Sequence, residues 1–135
     1  MNLAIVSMEK KVLEMECDSV TLPTSEGQIT ILPGHIPLFS LLTAGEVIVR
    51  NKEEETSLAV GEGFVNFSKG RLILLTDFGV HSGEIDEAAI REAKARAEEI
   101  LSQKSDNSMM AEAQANLARS ILQLKIAGKR SRARK

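Results

Sequence analysis

The sequence predicts an α+β fold: an N-terminal antiparallel β-sandwich over residues 1–83, followed by a C-terminal antiparallel α-helical hairpin over residues 84–135. Two observations carry this. Short runs of Val, Ile and Leu recur about every ten residues through the first part, each closed by turn-forming residues. From Ile85 the composition changes to Ala, Glu, Lys and Arg, strong helix formers, with apolar residues returning at helical spacing. Eight of the nine glycines fall before residue 84, on the side that needs tight turns.

The strand runs are residues 3–6, 20–22, 29–32, 47–49, 58–60, 64–67 and 72–75. Between them lie Ser25-Glu26-Gly27, Pro33-Gly34, Ala44-Gly45, the polar stretch 51–55, Gly61-Glu62-Gly63 and Ser68-Lys69-Gly70. Many short, evenly spaced strands imply a sandwich or small barrel. Gly83 ends the last strand and Asp86 is placed to cap the first helix. Ile90, Ala93, Ala97 and Leu101 share one helix face. The polar segment 102–108 forms the turn. Met110, Ala113, Leu117, Ile121 and Leu124 line the second helix, with Gly128 as its stop. Two helices with a short polar connection make a hairpin. Its seam is mostly Ala, which buries little apolar surface, so the hairpin is expected to be weakly held and able to open.

Composition excludes several functions. The 135 residues include four Phe but no Trp or Tyr, which removes the stacking platforms of sugar-binding and single-strand nucleic-acid modules. No nucleic-acid partner is expected. Cys17 is the one cysteine, so no intrachain disulfide can form and no cysteine-based zinc site is expected. His35 and His81 lack a nucleophile, a carboxylate pair or a second ligand at metal spacing, so neither catalysis nor a metal site is expected. Gly61 and Gly63 mimic the start of a phosphate loop, but Asn66 replaces its third glycine. The chain has no signal-peptide pattern and no apolar run of membrane-spanning length, so any membrane association is expected to come through a complex. The net charge of −2 conceals a split. Residues 1–83 carry eleven acids and six bases, residues 84–135 eight acids and eleven bases. After Glu112 seven bases follow without one acid, pointing to an acidic partner for the C-terminal end.

Three blocks together are similar to one family. Gly27-Gln28-Ile29-Thr30-Ile31-Leu32-Pro33-Gly34-His35-Ile36-Pro37-Leu38 leads into Leu42-x-x-Gly45. Ala59-Val60-Gly61-Glu62-Gly63-Phe64 is followed by Leu72-Ile73-Leu74-Leu75-Thr76-Asp77, and Ile85-Asp86 opens an Ala-rich hairpin. In this order, over nearly the whole chain, they resemble the F-type ATP synthase epsilon subunit of bacterial type. The resemblance implies a non-catalytic rotor subunit at the cytoplasmic face of the bacterial inner membrane, peripheral to it. Its sandwich would bind the gamma shaft and the c-subunit ring, coupling ring rotation to ATP synthesis. Its hairpin would reach into the α and β subunits of the F1 head and inhibit ATP hydrolysis.

Carried onto this chain, rotor docking falls to Gly27, Gln28, Pro33, Gly34 and His35, with Gln28 facing the ring. Inhibitory contact with the head falls to Arg119, Lys125, Lys129 and Arg130, on charge and position. The family's nucleotide-sensing pattern would place Asp86 at ATP, but Ala89 stands where that pattern has an arginine. Arg91 lies two positions on, about 200° around the helix. No cofactor is expected, and ATP is not expected to bind tightly.

Overall fold

The structure, a computed structural model, describes residues 1–103 and 107–133; for residues 129–133 it describes the backbone alone. The chain divides into two compact units, Met1–His81 and Ser82–Lys135.

The first unit holds ten strands: β1 (Asn2–Ser7), β2 (Lys11–Glu16), β3 (Ser19–Thr24), β4 (Gly27–Ile31), β5 (Leu38–Leu42), β6 (Gly45–Asn51), β7 (Glu54–Val60), β8 (Gly63–Ser68), β9 (Arg71–Thr76) and β10 (Gly79–His81). They follow one another in the order β10-β7-β6-β3-β5-β8-β9-β1-β2, with β4 on the other side of β3. All pairings are antiparallel except β1 with β9, which runs parallel from Asn2 opposite Arg71 to Ser7 opposite Thr76. Strand β3 links the β10-β7-β6 part of the path to the β5-β8-β9-β1-β2 part. Its first half, Ser19 to Thr21, pairs with β6, while Thr24 meets Leu42 of β5. The far ends of the path also meet: His81 Nε2 lies 3.2 Å from the Val12 carbonyl, and Gly79 sits against the Val12 side chain. This near-closure leaves few open strand edges, the usual liability of a sheet.

Alternation fills the core. Leu3 and Ile5 of β1, Val20 and Leu22 of β3, Val47 and Val49 of β6, Val65 and Phe67 of β8, and Leu72 and Leu74 of β9 all point inward and are buried. With a side-chain period of two, the residues between them point to the opposite face, where Asn66 is exposed but Ala4 and Thr21 are also buried.

Seven of the ten strands contain the apolar runs read from the sequence. The other three, β2, β5 and β10, have physical reasons for escaping. Strand β2 (KVLEME) mixes charge with aliphatics, β5 follows Pro37 directly, and β10 is three residues long.

In the second unit a 3-10 turn, Ser82–Glu84, precedes α1 (Glu87–Ser102) and α2 (Asn107–Ala133). Asp86 is the N-cap of α1: its Oδ1 accepts from the Ala88 and Ala89 amides at 3.1 and 3.2 Å. Gly128 does not stop α2, which continues to Ala133. A helical glycine costs only about 1 kcal/mol relative to Ala, and the lysines, arginines and Ala around it favour continuation. Among its described residues α2 buries Ala113, Ser120, Ile126 and Ala127, whereas Ile121 is 49% exposed. The Ser120 hydroxyl tolerates burial because it donates to the Asn116 carbonyl at 2.9 Å.

Candidate functional site

Strand β4 separates the predicted docking residues into two groups. Gly27 and Gln28 form the exposed start of the strand, just past the β3–β4 turn. Gly27 has φ 114°, which only glycine adopts without strain. Thr24 fixes this turn by donating its hydroxyl to the Gly27 carbonyl at 2.6 Å and accepting from the Glu26 amide at 3.2 Å. About 10 Å of strand separates Gln28 from Ile31. Beyond it, Pro33, Gly34 and His35 lie together in a turn closed by the His35 amide on the Leu32 carbonyl at 3.1 Å. Pro33 followed by Gly34 at φ 88° is the chemistry of a type II turn. His35 Nδ1 lies 2.7 Å from the Ile36 carbonyl, and its ring stands edge-on to Phe67 with centroids 6.0 Å apart. Leu32 and Ile36, on either side of this turn, are 55% and 75% exposed. The protruding apolar pair sits beside His35, a feature the motif alone does not reveal.

A larger surface lies on the outer face of β5, β8 and β9. Leu41 pairs with Phe64, and Phe64 pairs in turn with Leu75, so three apolar side chains stand abreast on neighbouring strands. All three are about half exposed, and Phe39, more exposed still, stacks on Phe64 with centroids 5.8 Å apart. Strands usually present polar residues to solvent on such a face. Sequence reading missed this ridge, although a signal was present. Phe64 and Phe67 are three apart on one strand, so alternation must send them to opposite faces.

On the hairpin, Arg119 and Lys125 have exposed positions. Arg119 lines a cleft of about 390 Å³ between α1 and α2 together with Arg96, Glu112 and Asn116. Lys129 and Arg130 occupy helical backbone positions, and their side chains lie outside the described residues. At 100° per residue, positions 119 and 130 fall about 20° apart and positions 125 and 129 about 40° apart, so α2 distributes the four bases over two faces. Asp86 is engaged as a helix cap, Ala89 is exposed, and Arg91 lies 3.6 Å from Glu87. Among the described residues no group of His, Cys, Asp or Glu is placed to hold a metal ion. Burial pushes the Cys17 thiol above its usual range, away from the reactive thiolate.

Both units match one family's description. Residues 1–82 match the profile of the ATP synthase delta/epsilon chain β-sandwich domain, and residues 84–128 that of its long α-helix domain. The chain belongs to the ATP synthase delta/epsilon family. Within that family it is similar to the ATP synthase epsilon chain of Dehalococcoides mccartyi, 40% identical over 96% of this chain and 94% of that one. The epsilon chain of Moorella thermoacetica is 38% identical over 95% and 96%, and that of Neisseria meningitidis 35% identical over 93% and 91%. Among solved structures, a chain of the Euglena gracilis mitochondrial ATP synthase superimposes with a TM-score of 0.64 at 22% identity, over 98% of this chain and 80% of that one. A chain of the Tetrahymena thermophila mitochondrial ATP synthase central stalk and c-ring gives 0.59 at 14% identity, over 94% and 96%. These two likenesses concern the fold. The epsilon chains carry the family relationship, and this chain matches them nearly end to end.

Proposed function

We propose that this chain is a non-catalytic rotor subunit of an F-type ATP synthase, bound through its sandwich to the gamma subunit and the c ring. The carrying observation is the exposed apolar ridge of Phe39, Leu41, Phe64 and Leu75 on an outer sheet face. Contiguous exposed apolar surface of this kind marks interaction sites. In this reading the ridge docks on gamma, and the turn at Pro33, Gly34 and His35, flanked by Leu32 and Ile36, meets the c ring together with Gln28. The hairpin is the regulatory part. Its Ala-rich seam favours opening, and the bases of α2, Arg119, Lys125, Lys129 and Arg130, face acidic segments of the β and α subunits when it extends, slowing ATP hydrolysis. No helix among the described residues is long and apolar enough to cross a membrane. Placement at the cytoplasmic face of a bacterial membrane then follows from the complex.

The test is reconstitution. Full-length chain added to a synthase complex stripped of it should bind stoichiometrically and restore ATP synthesis driven by a proton or sodium gradient. Binding with no effect on coupling, or no binding, would refute the rotor reading.

A further inference from the structure

The ridge carries more information than its apolarity. Phe64 is a wall between two clefts. One, about 390 Å³, is bounded by Val6, Met8 and Leu75; the other, about 540 Å³, by Leu41, Leu42 and Thr43. Both clefts are also bordered by the same two acidic residues, Glu62 and Asp77. Their placement is built into the backbone. The Asp77 amide donates to the Glu62 carbonyl at 3.0 Å, and the Gly61 amide donates to the Phe78 carbonyl at 3.1 Å. Gly61 leaves the space that the Asp77 carboxylate occupies, since a Cβ there would overlap Asp77 Oδ1. Gly63 has no room for a side chain either, because a Cβ would overlap the Leu75 carbonyl.

An apolar partner laid over this face would strip water from the exposed Glu62 carboxylate, with Asp77 beside it. Desolvating a carboxylate without supplying a counter-charge is costly, whereas a hydrogen-bonded cation offsets that cost. Arginine suits the role best, because its planar fork engages a carboxylate through two parallel hydrogen bonds. The two clefts ask in turn for apolar groups on both sides of Phe64. Leu41, Phe64 and Leu75 occupy adjacent strands and therefore span about 10 Å.

We infer that the segment of gamma seated on this face straddles Phe64 with an apolar side chain in each cleft and sets an arginine or lysine against Glu62 and Asp77. This rests on the docking of gamma at the ridge and assigns the chemistry of its contact. Phe64, stacked on Phe39, is the anchor; the two carboxylates select the partner's charge.

The experiment titrates full-length chain into the head-plus-gamma complex lacking it, at about 0.05 M and about 0.5 M salt. Phe64→Ser should weaken binding about 30-fold at both salts, as loss of a central aromatic anchor does. Glu62→Gln with Asp77→Asn should weaken it about 10-fold at low salt and much less at high salt. Glu53→Gln, on the β6–β7 turn, controls for net charge and should change little. Phe64 is exposed, so its variant should melt near wild type; if it does not, Phe39→Ser carries the same measurement. Unchanged or tighter binding by the neutralised pair overturns the cation, even with gamma docking intact. Unchanged binding by the Phe variants overturns the anchor. Failure of wild type to bind overturns both this inference and the docking it rests on. Concentration-dependent self-association that Phe64→Ser abolishes would assign the face to a second copy of the chain and overturn the inference.

Discussion

Asp86 accepts two amide hydrogen bonds at the head of α1, so Asp86→Ala leaves those first-turn donors without their side-chain acceptor. Loss of such a cap costs about 1 kcal/mol. The expected outcome is reduced helicity of the hairpin by circular dichroism, with the sandwich transition unmoved; a shifted sandwich transition would contradict a purely local role. Three residues on, Ala89 offers no guanidinium to a phosphate. Titration calorimetry with ATP and magnesium should register little heat, and Ala89→Arg should strengthen binding. Tight binding by the unmodified chain would mean that another base, such as Arg96 or Arg119 in the cleft between the helices, does the work. At this scale the cap was legible in the sequence, because Asp before an Ala-rich run has one strongly preferred use. The burial of Ser120 in place of Ile121 was not. Helical periodicity alone does not decide between neighbours about 100° apart, and the serine satisfies its hydroxyl on its own helix.

Among the elements, α2 offers the sharpest test of regulation. Its bases occupy two faces, so an extended helix would present charge over a broad arc rather than along one stripe. Each exposed ion pair contributes about 0.2–1 kcal/mol, and a shift of about 1.4 kcal/mol changes an equilibrium tenfold. Replacing Arg119, Lys125, Lys129 and Arg130 together with Ala should therefore raise ATP hydrolysis by the assembled F1 portion several-fold without impairing assembly. Salt should weaken inhibition by the unmodified chain. If truncation after Gly83 activates hydrolysis and the charge variant does not, inhibition is steric. Helix α2 also shows why Gly128 misled: a glycine stop depends on a left-handed residue past the helix end, and composition cannot supply that geometry. Strand β5 hid for another reason. It begins directly after Pro37, and its outward Phe39 and Leu41 belong to the surface proposed as functional.

For the molecule as a whole, the first unit satisfies its own strand pairing and core: every strand finds its partners within residues 1–81. A fragment of residues 1–83 should fold alone, melt in one cooperative transition and still bind the gamma-containing complex. A fragment disordered by circular dichroism would show that the sandwich depends on the helical unit. The α+β architecture was legible because strand and helix periods occupy separate stretches of chain. The linking of the two parts of the strand path by β3 and the meeting of β10 with β2 were not, since pairings across the sequence leave no local signature.

The parallel pairing of β1 with β9 also has a consequence in time. During synthesis β1 and β2 emerge one after the other, but the other edge of β1 awaits a strand made much later. At about 5–20 residues per second, some seventy residues take roughly 4–14 s. Through that interval Leu3 and Ile5 belong to a half-paired hairpin with an open, aliphatic edge, the geometry most apt to recruit a neighbouring chain. The nascent protein thus stays vulnerable until its ninth strand leaves the ribosome, and chaperone demand should fall once residue 76 has cleared the exit tunnel.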